Sequence, residues 1–234
     1  MIIALLITAL LQFNVTAKTK NKDMTKDKII YVFDPMCGWC FGFGKVMGDF
    51  HKEYKDSFDF DVISGGMVIG DREGPVGEFA DYILGAYKKI EEYSGMQFGQ
   101  PYLDQLKTKS IWTSSVKPAI AIETFKEFNT KDVIEFSHAV QKAYFVYGKD
   151  LRDESVYKEL LKPYGINETA FLKKLNSEEM RKQTNDWFQT SANWGVTGYP
   201  TVVFVHKGKY YAIAKGFTDL ETLKKTMASV INKP

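Results

Sequence analysis

Residues 29–41, Ile29-Ile30-Tyr31-Val32-Phe33-Asp34-Pro35-Met36-Cys37-Gly38-Trp39-Cys40-Phe41, run from an apolar strand through a turn into a helix. The first five, closed by Asp34-Pro35, have the length and composition of a buried strand. From Cys37 to Tyr54 the period changes, and Phe41, Val46, Phe50 and Tyr54 fall roughly on one helical stripe. Gly42 and Gly44 each cost such a helix about 1 kcal/mol relative to Ala. Cys37 and Cys40 are the only cysteines in 234 residues, and they sit at the strand-to-helix junction. That spacing puts one thiol at the helix N-terminus, exposed, and the other one turn behind it. Free backbone N–H groups and the helix dipole stabilise negative charge on the first sulfur. A thiolate is the species that attacks a disulfide, so the pair reads as a redox device.

Two other uses of the pair fare worse. A structural zinc needs about four ligands, and only the scattered His51, His138 and His206 could join the cysteines. A structural disulfide closing so short a loop removes little chain entropy. Neither a metal nor an organic cofactor is expected.

Outward from the junction, Phe58–Ser64 alternates apolar and polar residues as a half-buried strand does. Gly65-Gly66-Met67-Val68-Ile69-Gly70 follows, but Asp71 stands where a phosphate-binding loop needs Gly-Lys-Ser/Thr, so it reads as a turn. From about Pro75 to Trp194 the period is helical almost throughout. The spacing predicts helices over 76–93, 102–107, 118–128, 131–147, 153–164, 168–175 and 177–193, the last capped by Ser177. They read as a compact bundle without chemistry of its own. Then come a strand over 200–206, a tight turn at Lys207-Gly208-Lys209, a strand over 210–214 and a helix over 219–231 with Leu220, Leu223, Met227 and Val230 inward.

Gly198-Tyr199-Pro200-Thr201 opens that late strand. Proline cannot donate to a sheet ladder, so its place there needs a reason. One is a cis Tyr199–Pro200 peptide, at a cost of only about 0.5–1 kcal/mol. That would turn the backbone of Tyr199 toward the cysteines and let it pair with an extended peptide. The other is an ordinary trans proline at a strand start.

The element order, β-α-β and β-β-α around one sheet with an all-helical subdomain inserted between them, is the thioredoxin-like α/β architecture. The boundaries expected are 29–70 and 195–234 for the sheet domain and 71–194 for the insertion. With Asp34-Pro35-Met36-Cys37-Gly38-Trp39-Cys40 and the late Trp194–Thr201 passage, the chain resembles the DsbA-family thiol–disulfide oxidoreductases over roughly residues 28–232. The FrnE-like, predicted disulfide isomerase branch carries a similar passage. The resemblance implies that Cys37 is the nucleophile, Cys40 the resolving thiol and Pro200 a cis proline. Trp39 and Tyr199 support them, and Tyr199, Thr201 and Phe41 are candidates for contact with substrate. It also implies cysteine-containing protein substrates and a recycling partner that the residues do not identify. DsbA carries histidine where this chain has Trp39, and an indole stabilises a thiolate less well. The buried acid six residues before the first cysteine is replaced by Tyr31. Asp34 either assists proton transfer to Cys40 or serves the turn.

Two rivals stand beside this reading. Kappa-type glutathione-dependent isomerases or transferases share the inserted helical domain but usually lack the second cysteine. A non-catalytic chaperone would bind peptides along Phe41, Phe43, Trp112 and Tyr199.

With 31 basic against 29 acidic residues and no basic patch laced with aromatics, nucleic acid is not an expected partner. Ile2–Leu11 is too short to span a bilayer, and Val15-Thr16-Ala17 fits a signal-peptidase site. Residues 1–17 are therefore read as a signal peptide and 18–28 as a polar tether. The protein would be periplasmic or secreted and not held in the membrane after cleavage. Initiation at Met24 would instead give a cytoplasmic protein.

Overall fold

The computed structural model describes residues 27–233; the proposed signal peptide and most of the lysine-rich tether lie outside them. β1 (Lys28–Phe33) is the anticipated apolar strand. α1 (Gly38–Tyr54) follows with Cys37 as its N-cap, and β2 (Asp59–Ser64) returns parallel to β1. After a short turn of 3₁₀ helix at Gly70–Arg72 come β3 (Gly74–Pro75), α2 (Phe79–Ser94), α3 (Gln100–Lys107) and β4 (Trp112–Thr113). The helices α4 (Val116–Lys126), α5 (Val133–Phe145), α6 (Glu154–Leu161), α7 (Glu168–Leu175) and α8 (Glu178–Asn193) complete the insertion. β5 (Thr201–His206), β6 (Lys209–Lys215) and α9 (Leu220–Ile231) close the chain. The strands order β2-β1-β5-β6, with β5 antiparallel to both β1 and β6, so the first and last units share one sheet.

Three details depart from the sequence reading, each because of a long-range contact. The helix expected from Val76 starts at Phe79, and the insertion is not wholly helical, because Gly74–Pro75 pairs with Trp112–Thr113 in a two-stranded ribbon. β2 alternates only in its first half; Val62, Ile63 and Ser64 are all buried, where α4, α5 and α8 pack on the strand. In α1, Cys40, Phe43 and Met47 are buried as well as Phe41 and Phe50, since α2, α5 and α9 all pack on it. The close approach explains a glycine: a Cβ at Gly44 would lie 2.1 Å from Nδ1 of His138 on α5.

The insertion is fastened to the sheet by buried polar groups as well as by its core. Glu123 on α4 accepts hydrogen bonds from Gln183 (2.6 Å) and Trp187 (3.0 Å) of α8. It also pairs with Lys126, whose ammonium reaches Asp61 of β2 at 3.0 Å. Ser177 caps α8 by accepting the Met180 N–H, a contact worth about 1 kcal/mol.

Candidate active site

The end of β1 aims the chain at its reactive junction. Cys37 has extended backbone at the N-cap of α1, and its sulfur accepts the Cys40 N–H at 3.3 Å. On its other side the thiol donates to the carbonyl oxygen of Tyr199 at 3.7 Å. The Tyr199–Pro200 peptide is cis. Two segments at opposite ends of the chain therefore meet at one sulfur. Both cysteines are free thiols. Cys37 keeps 6% of its surface, on the wall of a cleft, and is less open than the sequence suggested, while Cys40 is fully buried. Burial, and after it the hydrogen bond and charge of Cys37, push the Cys40 thiol well above its ordinary pKa.

The insertion holds this junction in place. Gln141 of α5 donates to the carbonyls of Asp34 (3.2 Å) and Cys37 (3.5 Å). Asp34 is fully buried. Its Oδ1 accepts the Met36 N–H (2.9 Å) and the Ser115 hydroxyl (2.7 Å), and its Oδ2 accepts the Met67 N–H (2.7 Å). Burial raises its carboxyl pKa against the pull of those hydrogen bonds. The bond to Met36 is the local turn contact anticipated for Asp34; the bonds to Ser115 and Met67 tie that turn to α4 and to the loop after β2. Ser115 in turn accepts the Val68 N–H at 2.9 Å.

Among the other residues singled out from sequence, Tyr199 lines the cleft and donates its hydroxyl to the Gly65 carbonyl at 2.8 Å. Trp39 also lines it, half-buried against Tyr93 and Phe217. Thr201 is buried, with its hydroxyl turned to the Gly198 carbonyl (2.9 Å). Phe41 is fully buried between Phe98 and Phe145 and offers no surface to a substrate. Phe43 is equally buried, and Trp112 lies under the Arg152 guanidinium. Of the four aromatics considered for a peptide groove, only Tyr199 lines the cleft.

The cleft encloses about 760 Å³, and its far wall is α2. There Phe79 and Tyr82 touch each other at 5.1 Å and stand 63% and 66% exposed. Sequence reasoning passed over this ridge, and over Ser115 and Gln141. Signals for the ridge and for Gln141 were present. The apolar and aromatic positions of α2 are too many for one buried stripe, and only Ala80 and Ile90 of that helix are buried. Ser137 and Gln141 interrupt an otherwise apolar face of α5, where a polar side chain needs a partner.

Among the described residues no group of three or more His, Cys, Asp or Glu could hold a metal ion, and no helix is long and apolar enough to cross a membrane. What the arrangement offers is a pair of thiols, one reachable from an apolar cleft and one sealed beneath it.

The thioredoxin family profile matches residues 31–225. No curated protein matches the chain in sequence. Among solved structures, a "putative protein disulfide isomerase" from Nitrosomonas europaea superposes with a TM-score of 0.77 at 23% identity, covering 88% of this chain and 98% of its own. The cytosolic disulfide reductase DsbM from Pseudomonas aeruginosa gives 0.71 at 20% identity, with 87% and 98% covered. A 2-hydroxychromene-2-carboxylate isomerase gives 0.61 at 13% identity, with 87% and 96% covered. At these identities the likeness is one of fold.

Proposed function

The chain belongs to the thioredoxin family, and from that premise we propose that it is a DsbA-like thiol–disulfide oxidoreductase acting on cysteine-containing proteins. One observation carries the reading. The Cys37 sulfur lies on the cleft wall between the Cys40 N–H and the carbonyl of the cis Tyr199–Pro200 pair. The N–H stabilises a thiolate, and the backbone of Tyr199 offers an edge on which an extended peptide can lie.

In the reductive direction Cys37 thiolate attacks one sulfur of a substrate disulfide and expels the other as a thiolate. Cys40 thiolate then attacks Cys37 and releases the second substrate thiol, leaving a Cys37–Cys40 disulfide. Oxidation is the reverse, and isomerisation is the first step followed by attack from another substrate thiol. With Trp39 in place of a histidine, the potential falls between those of thioredoxin, about −270 mV, and DsbA, about −120 mV. That suits an isomerase or a weak oxidant. The apolar segment Ile2–Leu11 before Val15-Thr16-Ala17 supports export as the setting in which it works.

Trapping tests the reading. Cys40→Ala should accumulate mixed disulfides between Cys37 and substrate proteins, and Cys37→Ala should accumulate none. Equal, negligible trapping by both variants would reject it.

A further inference from the structure

The cleft beside Cys37 is apolar almost throughout, and among the described residues that line it Arg72 is the single Lys, Arg, Asp or Glu. Arg72 closes the 3₁₀ turn Gly70–Arg72 and stands exposed. The loop after β2 places it relative to the reactive junction. Its guanidinium lies 3.5 Å from the Gly66 carbonyl oxygen. The preceding Gly65 carbonyl accepts the Tyr199 hydroxyl, and the following Met67 N–H donates to the buried Asp34. Arg72 therefore sits against the same short loop that holds both the turn before Cys37 and the residue before the cis proline.

That guanidinium has no ion-pair partner among the described residues, the adjacent Asp71 included. A separation of 3.5 Å is long for an N–H···O bond, so most of its five donors stand unused. The other acids near it in sequence are engaged elsewhere. Glu73 accepts the Gly70 N–H and the Ser114 hydroxyl. Glu78 and Asp81, at the start of α2, share Lys109 at 3.1 and 2.9 Å. A planar, permanently charged fork on the wall of an apolar cleft matches a carboxylate, which it can take through two parallel hydrogen bonds. Apolar walls exclude water and make such a pair worth more than it is on an open surface.

We propose that Arg72 is the anion subsite of the cleft and selects polypeptide substrates that carry an Asp or Glu close to the reacting cysteine. The proposal rests on the redox reading above and names the substrate class of that same site. An extended chain laid on the backbone edge of Tyr199 advances about 3.3 Å per residue and turns successive side chains to opposite faces. A carboxylate at one or two positions on one side of the cysteine then comes level with the guanidinium, and one on the other side runs away from it. Arg72 makes no hydrogen bond to either cysteine, so its effect falls on binding and not on the exchange of sulfurs.

The test is stopped-flow attack by the reduced protein on short end-capped peptides, each carrying one cysteine as a mixed disulfide with thiopyridine. Cys37 thiolate attacks the peptide sulfur, and thiopyridine leaves as its thiolate and is read by absorbance. One Glu, or Gln as its neutral twin, is placed at successive positions on either side of the cysteine. Glu should strengthen apparent binding about fivefold over Gln at one or two positions on one side only, with the limiting rate unchanged. Arg72→Gln should abolish that preference and still react with the Gln peptides as the wild type does. Arg72→Glu should instead prefer Lys at the same position. A preference equal at all positions reflects peptide charge alone, and one that survives Arg72→Gln has another source; either result overturns the proposal. Equal slowing of Glu and Gln peptides in both variants also overturns it, since Arg72 would then act on the thiol or on the fold. Dithiodiglycolate, a small disulfide with two carboxylates and no peptide chain, is the second probe. A loss in Arg72→Gln confined to this compound would assign the subsite to small anions and overturn the polypeptide class. If the wild type expels no thiopyridine even from the Gln peptides, the redox reading fails and this proposal fails with it.

Discussion

The ring of Tyr199 lies against the backbone of Gly65: its hydroxyl donates to the Gly65 carbonyl at 2.8 Å, and a Cβ added at Gly65 would fall 2.0 Å from the ring. This contact sets the loop after β2 against the residue that precedes Pro200. Gly65→Ala should therefore displace the Tyr199 ring and cost both stability, by about 1–3 kcal/mol, and turnover. Combining it with Tyr199→Ser should recover most of the stability and little of the turnover. Denaturant melts and insulin-type reductase assays on the three variants check this, and strictly additive stability losses would contradict it.

A second prediction concerns the Asp34–Ser115 hydrogen bond. Ser115→Ala leaves the half-buried Val68 N–H without its acceptor and the buried Asp34 without one donor, at a cost of about 1–3 kcal/mol. Asp34→Asn should cost more, because an amide N–H₂ would face donors that now share a carboxylate. The double variant should lose less than the sum of the two. Urea titrations of the four proteins read out all three statements.

The cleft wall yields a third. Phe79→Ser with Tyr82→Ser removes exposed aromatic surface without touching the cysteines. The kcat/KM for a disulfide-bonded unfolded protein should fall about tenfold, equivalent to about 1.4 kcal/mol. That for a small aliphatic disulfide should stay within about twofold. Equal losses on both substrates would remove α2 from substrate recognition.

A fourth follows from His138, which stacks on Phe41 and whose Nδ1 has no partner among the described residues. Burial, and then the nearby Lys142 charge, lower its pKa to about 4. Unfolded histidine titrates near 6.5, so between roughly pH 6.5 and 4 the unfolded chain binds more protons than the folded one. The contribution is whole above pH 6.5 and is lost as the pH falls, by up to about 3 kcal/mol. His138→Leu should flatten the stability profile over that window. Acid sensitivity unchanged by the substitution would contradict the assignment.

The fold was legible where it rests on local pattern. The strand at 29–33, the helix at 168–175, the cap at Ser177 and the CxxC junction all follow from periodicity and from residue types with narrow uses. What was not legible depends on partners far away in sequence. The ribbon that delays α2 joins residues 74–75 to 112–113. Ser115 and Gln141 reach the Asp34–Cys37 turn from helices that looked chemically idle. Phe41 was drawn toward the substrate by its nearness to Cys40 in sequence, and packing against Phe98 and Phe145 took it into the core instead. Periodicity assigns an element and its apolar side; it does not say how many neighbours will crowd around a helix such as α1.

The measurement closest to the central claim is equilibration of the protein, trimmed to Lys18, in graded glutathione buffers, with the Cys37–Cys40 redox state followed by thiol labelling and by Trp39 emission. The account predicts one reversible two-electron transition at a potential between about −270 and −120 mV. A pair that shows no reversible transition across that range would contradict it.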